Sequence, residues 1–89
     1  MIVKTVKVIS KHGIHMRPCN MIVDITMDAQ CDIFLSKDGE DWADGKSIMA
    51  LTMMAAMEGD EITIEANGSD EQKVVDKIID LINKGFEKP

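Results

Sequence analysis

The residues best suited to chemistry in this sequence are His15 and Arg17, two positions apart in Gly13-Ile14-His15-Met16-Arg17-Pro18. An imidazole with an unperturbed pKa of about 6.5 is both nucleophile and leaving group near neutral pH. Arg17 is the only arginine in 89 residues. Its guanidinium is a planar, multi-donor cation of the kind that takes phosphate oxygens in pairs. Pro18 suits the first turn of a helix, where no intrahelical N–H bond is lost. Gly13 lets the incoming loop turn tightly. A phosphoryl group on a ring nitrogen of His15 would sit beside the open N–H groups of that turn, whose donors and dipole favour a dianion. The same positive surroundings favour neutral imidazole over imidazolium. A lone histidine near a helix start is more often a cap or a surface group. Histidine, the sole arginine and proline together at a helix entrance make a phosphate-handling site the sharper reading.

Hydrophobic periodicity supplies the elements that must position this pair. Residues 2–9 are almost entirely β-branched, with Val6 and Val8 on one face, and read as a strand. Met16 to Asp28 reads as a helix. Cys19, Ile22, Val23, Thr26 and Met27 form its apolar stripe, and Asn20, Asp24 and Asp28 its polar face. Cys31 to Lys37 is a second strand with Ile33 and Leu35 inward. Asp38-Gly39 signals a turn into a short strand around Asp41-Trp42-Ala43. A short apolar helix follows, about Ser47 to Met57, with Leu51 and Met54 toward the core and Gly59 as its C′ residue. Glu61 to Ala66 alternates cleanly, with Ile62, Ile64 and Ala66 on the buried face. Asn67-Gly68 turns the chain. Ser69-Asp70-Glu71-Gln72 has the form of a capping box with Ser69 at the N-cap. Val74, Val75, Ile78, Ile79 and Ile82 stripe the last helix, which ends near Lys84-Gly85. The order is β-α-β-β-α-β-α. Strands that alternate on one face favour an α+β fold, an antiparallel sheet with the helices packed on one side.

Composition narrows the partners. A chain of 89 residues with 45% apolar residues is a single small globular domain spanning residues 1–89. Its net charge of −6 offers no basic stripe for nucleic acid and nothing for an anionic membrane surface. No secretory h-region opens the chain and no apolar run reaches membrane-spanning length. The expected setting is the cytoplasm, with Cys19 and Cys31 as free thiols. His12, His15, Cys19 and Cys31 offer four zinc-type ligand atoms. Their spacing across a loop-to-helix junction matches no finger pattern, and Cys19 belongs to the apolar stripe, so no metal and no cofactor is expected.

Gly13-Ile14-His15-Met16-Arg17-Pro18 resembles the phosphohistidine signature of the HPr family, the phosphocarriers of the bacterial sugar phosphotransferase system. Gly45-Lys46-Ser47-Ile48-Met49 resembles that family's second motif, around its regulatory serine. Gly59-Asp60-Glu61-Ile62-Thr63-Ile64 and the Asp70-Glu71-Gln72 helix fall in family order, so the likeness covers about residues 2–84. It implies an open-faced β-sandwich: a four-stranded antiparallel sheet with three helices on one face. It implies a carrier and not a turnover enzyme: His15 takes a phosphoryl group on Nδ1 from enzyme I, itself charged by phosphoenolpyruvate. His15 then passes it to the A component of a sugar-specific enzyme II. Arg17 would steady the phosphate, no metal is needed, and a monomer is expected.

By residue type Ser47 is a favoured N-cap. By resemblance it is also a target of HPr kinase/phosphorylase. Ile48, Met49 and Thr52, with Met53, open a Met-rich helix whose bland role is core packing. The resemblance makes the helix a partner-docking surface beside Met16 and Asn20, suited to adaptable contacts. The chain departs from the family where Met16 and Cys19 replace small alanines and Asp24 stands where lysine or glutamine is common. Two alternatives stay open: an HPr-like carrier of a regulatory, nitrogen-type branch, and a binding module with no phosphotransfer.

Overall fold

A computed structural model describes residues 1–11 and 16–86. Seven elements follow one another: β1 (Ile2–Lys7), α1 (Met16–Thr26), β2 (Cys31–Lys37), β3 (Ala43–Asp44), α2 (Ile48–Met54), β4 (Glu61–Gly68) and α3 (Glu71–Asn83). The strands form one antiparallel sheet in the order β1-β4-β2-β3. Ile33, Leu35, Ile62, Ile64 and Ala66 point from the two central strands into the core. There they meet Cys19 and Ile22 of α1, Leu51 of α2, and Val75, Ile78 and Ile82 of α3. The opposite sheet face is left uncovered, with Val3, Thr5 and Phe34 exposed along it. Alternation within each strand, together with one apolar stripe per helix, therefore yields the expected open-faced α+β sandwich. No helix among the described residues is long and apolar enough to cross a membrane.

Several boundaries differ from the sequence expectation, each for a long-range reason. β1 ends at Lys7, opposite Glu61, although Val8 stays buried. Beyond Lys7 the loop at Gly59-Asp60 exchanges hydrogen bonds with Val8, and Ile9 turns to solvent. α1 stops at Thr26, and Met27 is exposed instead of completing the stripe. β3 pairs through Ala43 and Asp44 with Leu35 and Phe34, starting two residues and ending one residue later than expected. The turn before it is formed as the Asp-Gly signal requires, with Asp38 and Gly39 both at positive φ and Glu40 N–H donating to Lys37 O.

α2 is shorter than expected. It stops at Met54, where Ala55 takes a left-handed conformation (φ 51°) and its N–H returns to Thr52 O. Gly59, at φ +92°, serves the following turn and not the helix end. β4 runs on through Asn67 and Gly68, because Gly68 pairs with Cys31 at the start of β2. A Cβ on Gly68 would fall 2.4 Å from Cys31 Cα, so glycine permits that close approach. The capping box at Ser69 does not form. The N-cap of α3 is Asp70, which makes no side-chain bond to its own helix. Its carboxylate instead accepts Gln30 N–H at 2.8 Å, tying the start of β2 to α3. Glu71 accepts Gly68 N–H at 3.1 Å and pairs with the N-terminal ammonium at 3.1 Å.

Candidate functional site

His15 lies outside the described residues, as do His12, Gly13 and Ile14. What the structure describes is the helix entrance immediately after them. α1 begins at Met16, with Arg17 exposed and Pro18 half-buried in its first turn. That turn carries no acidic side chain. No carboxylate among the described residues lies within ion-pair distance of Arg17. Among the described residues, the first turn of α1 thus combines an exposed arginine with no acidic side chain and no ion pair to that arginine. A positive, acid-free helix start is the electrostatic setting that favours an anion.

Below this entrance Cys19 is fully buried and anchors α1. Burial pushes its thiol pKa up, against a smaller opposing effect of the Thr52 hydroxyl. Thr52 is half-buried, with its Oγ1 out of solvent and no well-formed hydrogen bond among the described residues. Cys19 and Thr52 therefore mark where α1 and α2 touch. One turn from this contact lie Met16 on α1 and Met49 on α2, exposed by 62% and 73%. Asn20 is exposed on α1, and Ile48 lies at 37% exposure on α2. Met16, Asn20, Ile48 and Met49 thus flank one helix–helix seam. Asp24 is exposed farther along α1.

Ser47 is the N-cap of α2, with extended backbone (φ −112°, ψ 114°). Its Oγ accepts Ala50 N–H at 3.1 Å. The turn leading to it is pinned on three sides. Gly45 N–H donates to Ile33 O at 2.7 Å, Thr26 Oγ1 donates to Gly45 O at 2.7 Å, and Lys46 Nζ donates to Ala29 O at 3.2 Å. Asp44 Oδ1 accepts Lys46 N–H at 2.9 Å. A Cβ on Gly45 would stand 2.7 Å from Ile33 Cγ2, so the turn can press against β2 only with glycine there. The Ser47 turn and the C-terminal end of α1 are consequently one hydrogen-bonded unit. The sequence places Thr26 only in an apolar stripe and gives no sign of this link.

Two further features carry no local sequence signal. Trp42 is about half exposed at the sheet edge, and with Ala50, Met53 and Met54 it lines a groove beside α2. Cys31 sits against Asp70, and burial followed by that carboxylate pushes its thiol pKa to about 11. Both cysteines are free and buried. Among the described residues no cluster of three histidine, cysteine, aspartate or glutamate side chains is placed to hold a metal ion.

Known proteins match this arrangement along nearly the whole chain. The family model described as the PTS HPr component phosphorylation site matches residues 2–84. Phosphocarrier protein NPr of Klebsiella oxytoca is 32% identical over 85 residues, covering 96% of this chain and 94% of the relative. Phosphocarrier protein HPr of Neisseria meningitidis serogroup A is 33% identical over 86 residues, covering 97% and 96%. The crystal structure of HPr-C-His from Thermoanaerobacter tengcongensis superimposes with a TM-score of 0.90 at 27% identity, covering 100% of this chain and 99% of that one. With the sheet order, the α1 entrance and the Ser47 turn in place, the chain belongs to the HPr/NPr family of phosphocarrier proteins.

Proposed function

We propose that this protein accepts a phosphoryl group from phosphorylated enzyme I on Nδ1 of His15 and passes it to the A component of an enzyme II serving sugar uptake. The observation that carries the reading is the first turn of α1. It has an exposed Arg17, no acidic side chain and no ion pair to Arg17 among the described residues. His15 immediately precedes it. Phosphohistidine is a transient store: the imidazole attacks the donor's phosphoryl group and later leaves it to the acceptor. Arg17 and the helix N–H groups hold the oxygens at both stages. The protein acts only with partner enzymes, in the cytoplasm. Incubation with enzyme I and phosphoenolpyruvate tests this directly: acid-labile phosphate should appear in the wild type and vanish in His15→Ala. Label retained by His15→Ala would remove His15 as acceptor. Arg17→Ala should slow transfer without unfolding the chain, and unchanged kinetics would remove its role.

A second reading, a carrier for a regulatory, nitrogen-type branch, is favoured by the NPr relatives, which match as well as the HPr ones. Supplying phosphorylated protein to A components of both types separates the two by relative rate. We further propose that Ser47 is a site for HPr kinase/phosphorylase. Its position at an acid-free helix start would tolerate a phosphate of about −1.5 to −2 charges. Ser47→Asp should then weaken enzyme I binding, and equal affinity would count against it.

A further inference from the structure

We propose that Met49 and Met53 are sites of reversible oxidation by peroxides, and that their sulfoxides switch off docking at the α1–α2 surface. The inference rests on the phosphocarrier reading for its functional consequence, but its chemistry stands on placement. Met49 and Met53 are four residues apart and share one face of α2. They are 73% and 77% exposed, and α2 carries no charged residue at all. Met16 adds a third exposed thioether at the start of α1. On the phosphocarrier reading, a partner that reaches His15, the residue before α1, covers Met16 and the neighbouring exposed side chains of α2.

The thiols that usually sense oxidants are withdrawn here. Cys19 and Cys31 are buried, and their thiols are pushed toward the protonated, unreactive form. The readily reached sulfur in this region is thioether sulfur. Each event inserts one peroxide oxygen on sulfur: the thioether loses two electrons and becomes a sulfoxide, the peroxide is reduced to water, and no protein bond breaks. A dithiol-dependent methionine sulfoxide reductase reverses it, releasing water and leaving a disulfide on the reductant. An unbranched thioether repacks against varied apolar partners, whereas a sulfoxide is a polar, chiral acceptor. Covered by an apolar partner surface with no donor opposite, one such group weakens binding roughly tenfold.

The test treats the full-length protein with hydrogen peroxide, maps each sulfoxide by peptide mass spectrometry and measures enzyme I affinity. Met49 and Met53 should oxidise before Met21 and Met54, which pack against the core. Affinity should fall about tenfold and return after sulfoxide reductase treatment. In a Met16→Leu background affinity should still fall about tenfold on oxidation, and adding Met49→Leu/Met53→Leu should hold the change, measured against that variant's own untreated value, below twofold. An equal loss in the triple variant, or no recovery with reductase, overturns the switch. A chain that takes no phosphate from enzyme I before treatment overturns the phosphocarrier reading. One that does, and keeps its affinity with Met49 and Met53 oxidised, overturns the switch alone.

Discussion

Replacing Thr26 with valine removes one hydroxyl and almost no volume, so it isolates the bond that joins α1 to the Ser47 turn. Thr26 is fully buried, and its Oγ1 donates to Gly45 O at 2.7 Å. A second contact to Val23 O, at 3.4 Å, is too long to matter comparably. Gly45 is itself buried, so its carbonyl would have no ready access to water in the variant. A buried acceptor left without its donor costs about 1–3 kcal/mol. In a domain of this size each kcal/mol lowers Tm by roughly 4–8 °C, so a midpoint near 2 kcal/mol predicts a fall of about 8–16 °C. Urea denaturation followed by circular dichroism should show a lower midpoint at unchanged m. Thr26→Ser keeps the donor and loses only a methyl, about 1 kcal/mol, and should sit between the two. A Thr26→Val variant within 0.5 kcal/mol of wild type, or a serine variant as damaged as the valine one, would refute the bond's role.

Gly45→Ala should destabilise the fold by about 1–3 kcal/mol through overpacking, since the new methyl meets Ile33 Cγ2 at 2.7 Å; thermal denaturation checks it. Asp70 is held below the usual carboxylate range, first by Gln30 N–H, and Glu71 first by Gly68 N–H. A depressed folded pKa adds stability above the unfolded values, near 3.8 and 4.5, that is lost as pH falls through the lower folded ones. The acid limb of Tm against pH should therefore flatten in Asp70→Asn, and an unchanged limb would count against the Gln30 tie. At the alkaline end the sign reverses. Cys31 ionises at about 9.0 unfolded and about 11 folded, so stability should decline across that window and less so in Cys31→Ala. Both cysteines should resist a thiol reagent at pH 8 until denaturant is added.

Much of this protein is legible from residue types and spacing alone, because the information is local. Strand alternation and helical stripes determine the β-α-β-β-α-β-α order, and β2 begins and ends where its pattern does, at Cys31 and Lys37. The candidate chemistry is likewise local: an imidazole, a guanidinium and a proline within four residues need no tertiary knowledge to be recognised. Tertiary structure decided what depends on partners distant in the chain. The carboxylate of Asp70 turns from its own helix to Gln30, 40 residues away. Gly68 extends a strand because Cys31 is there to pair with it. α2 stops at Ala55 through a left-handed residue where glycine was the expected signal. Thr26 appears as one more small side chain in a stripe until Gly45, 19 residues on, presents the carbonyl it binds. Periodicity records which face of an element is buried. It does not record which hydrogen-bonding group will meet it there, and that pairing joins α1 to the turn that holds Ser47.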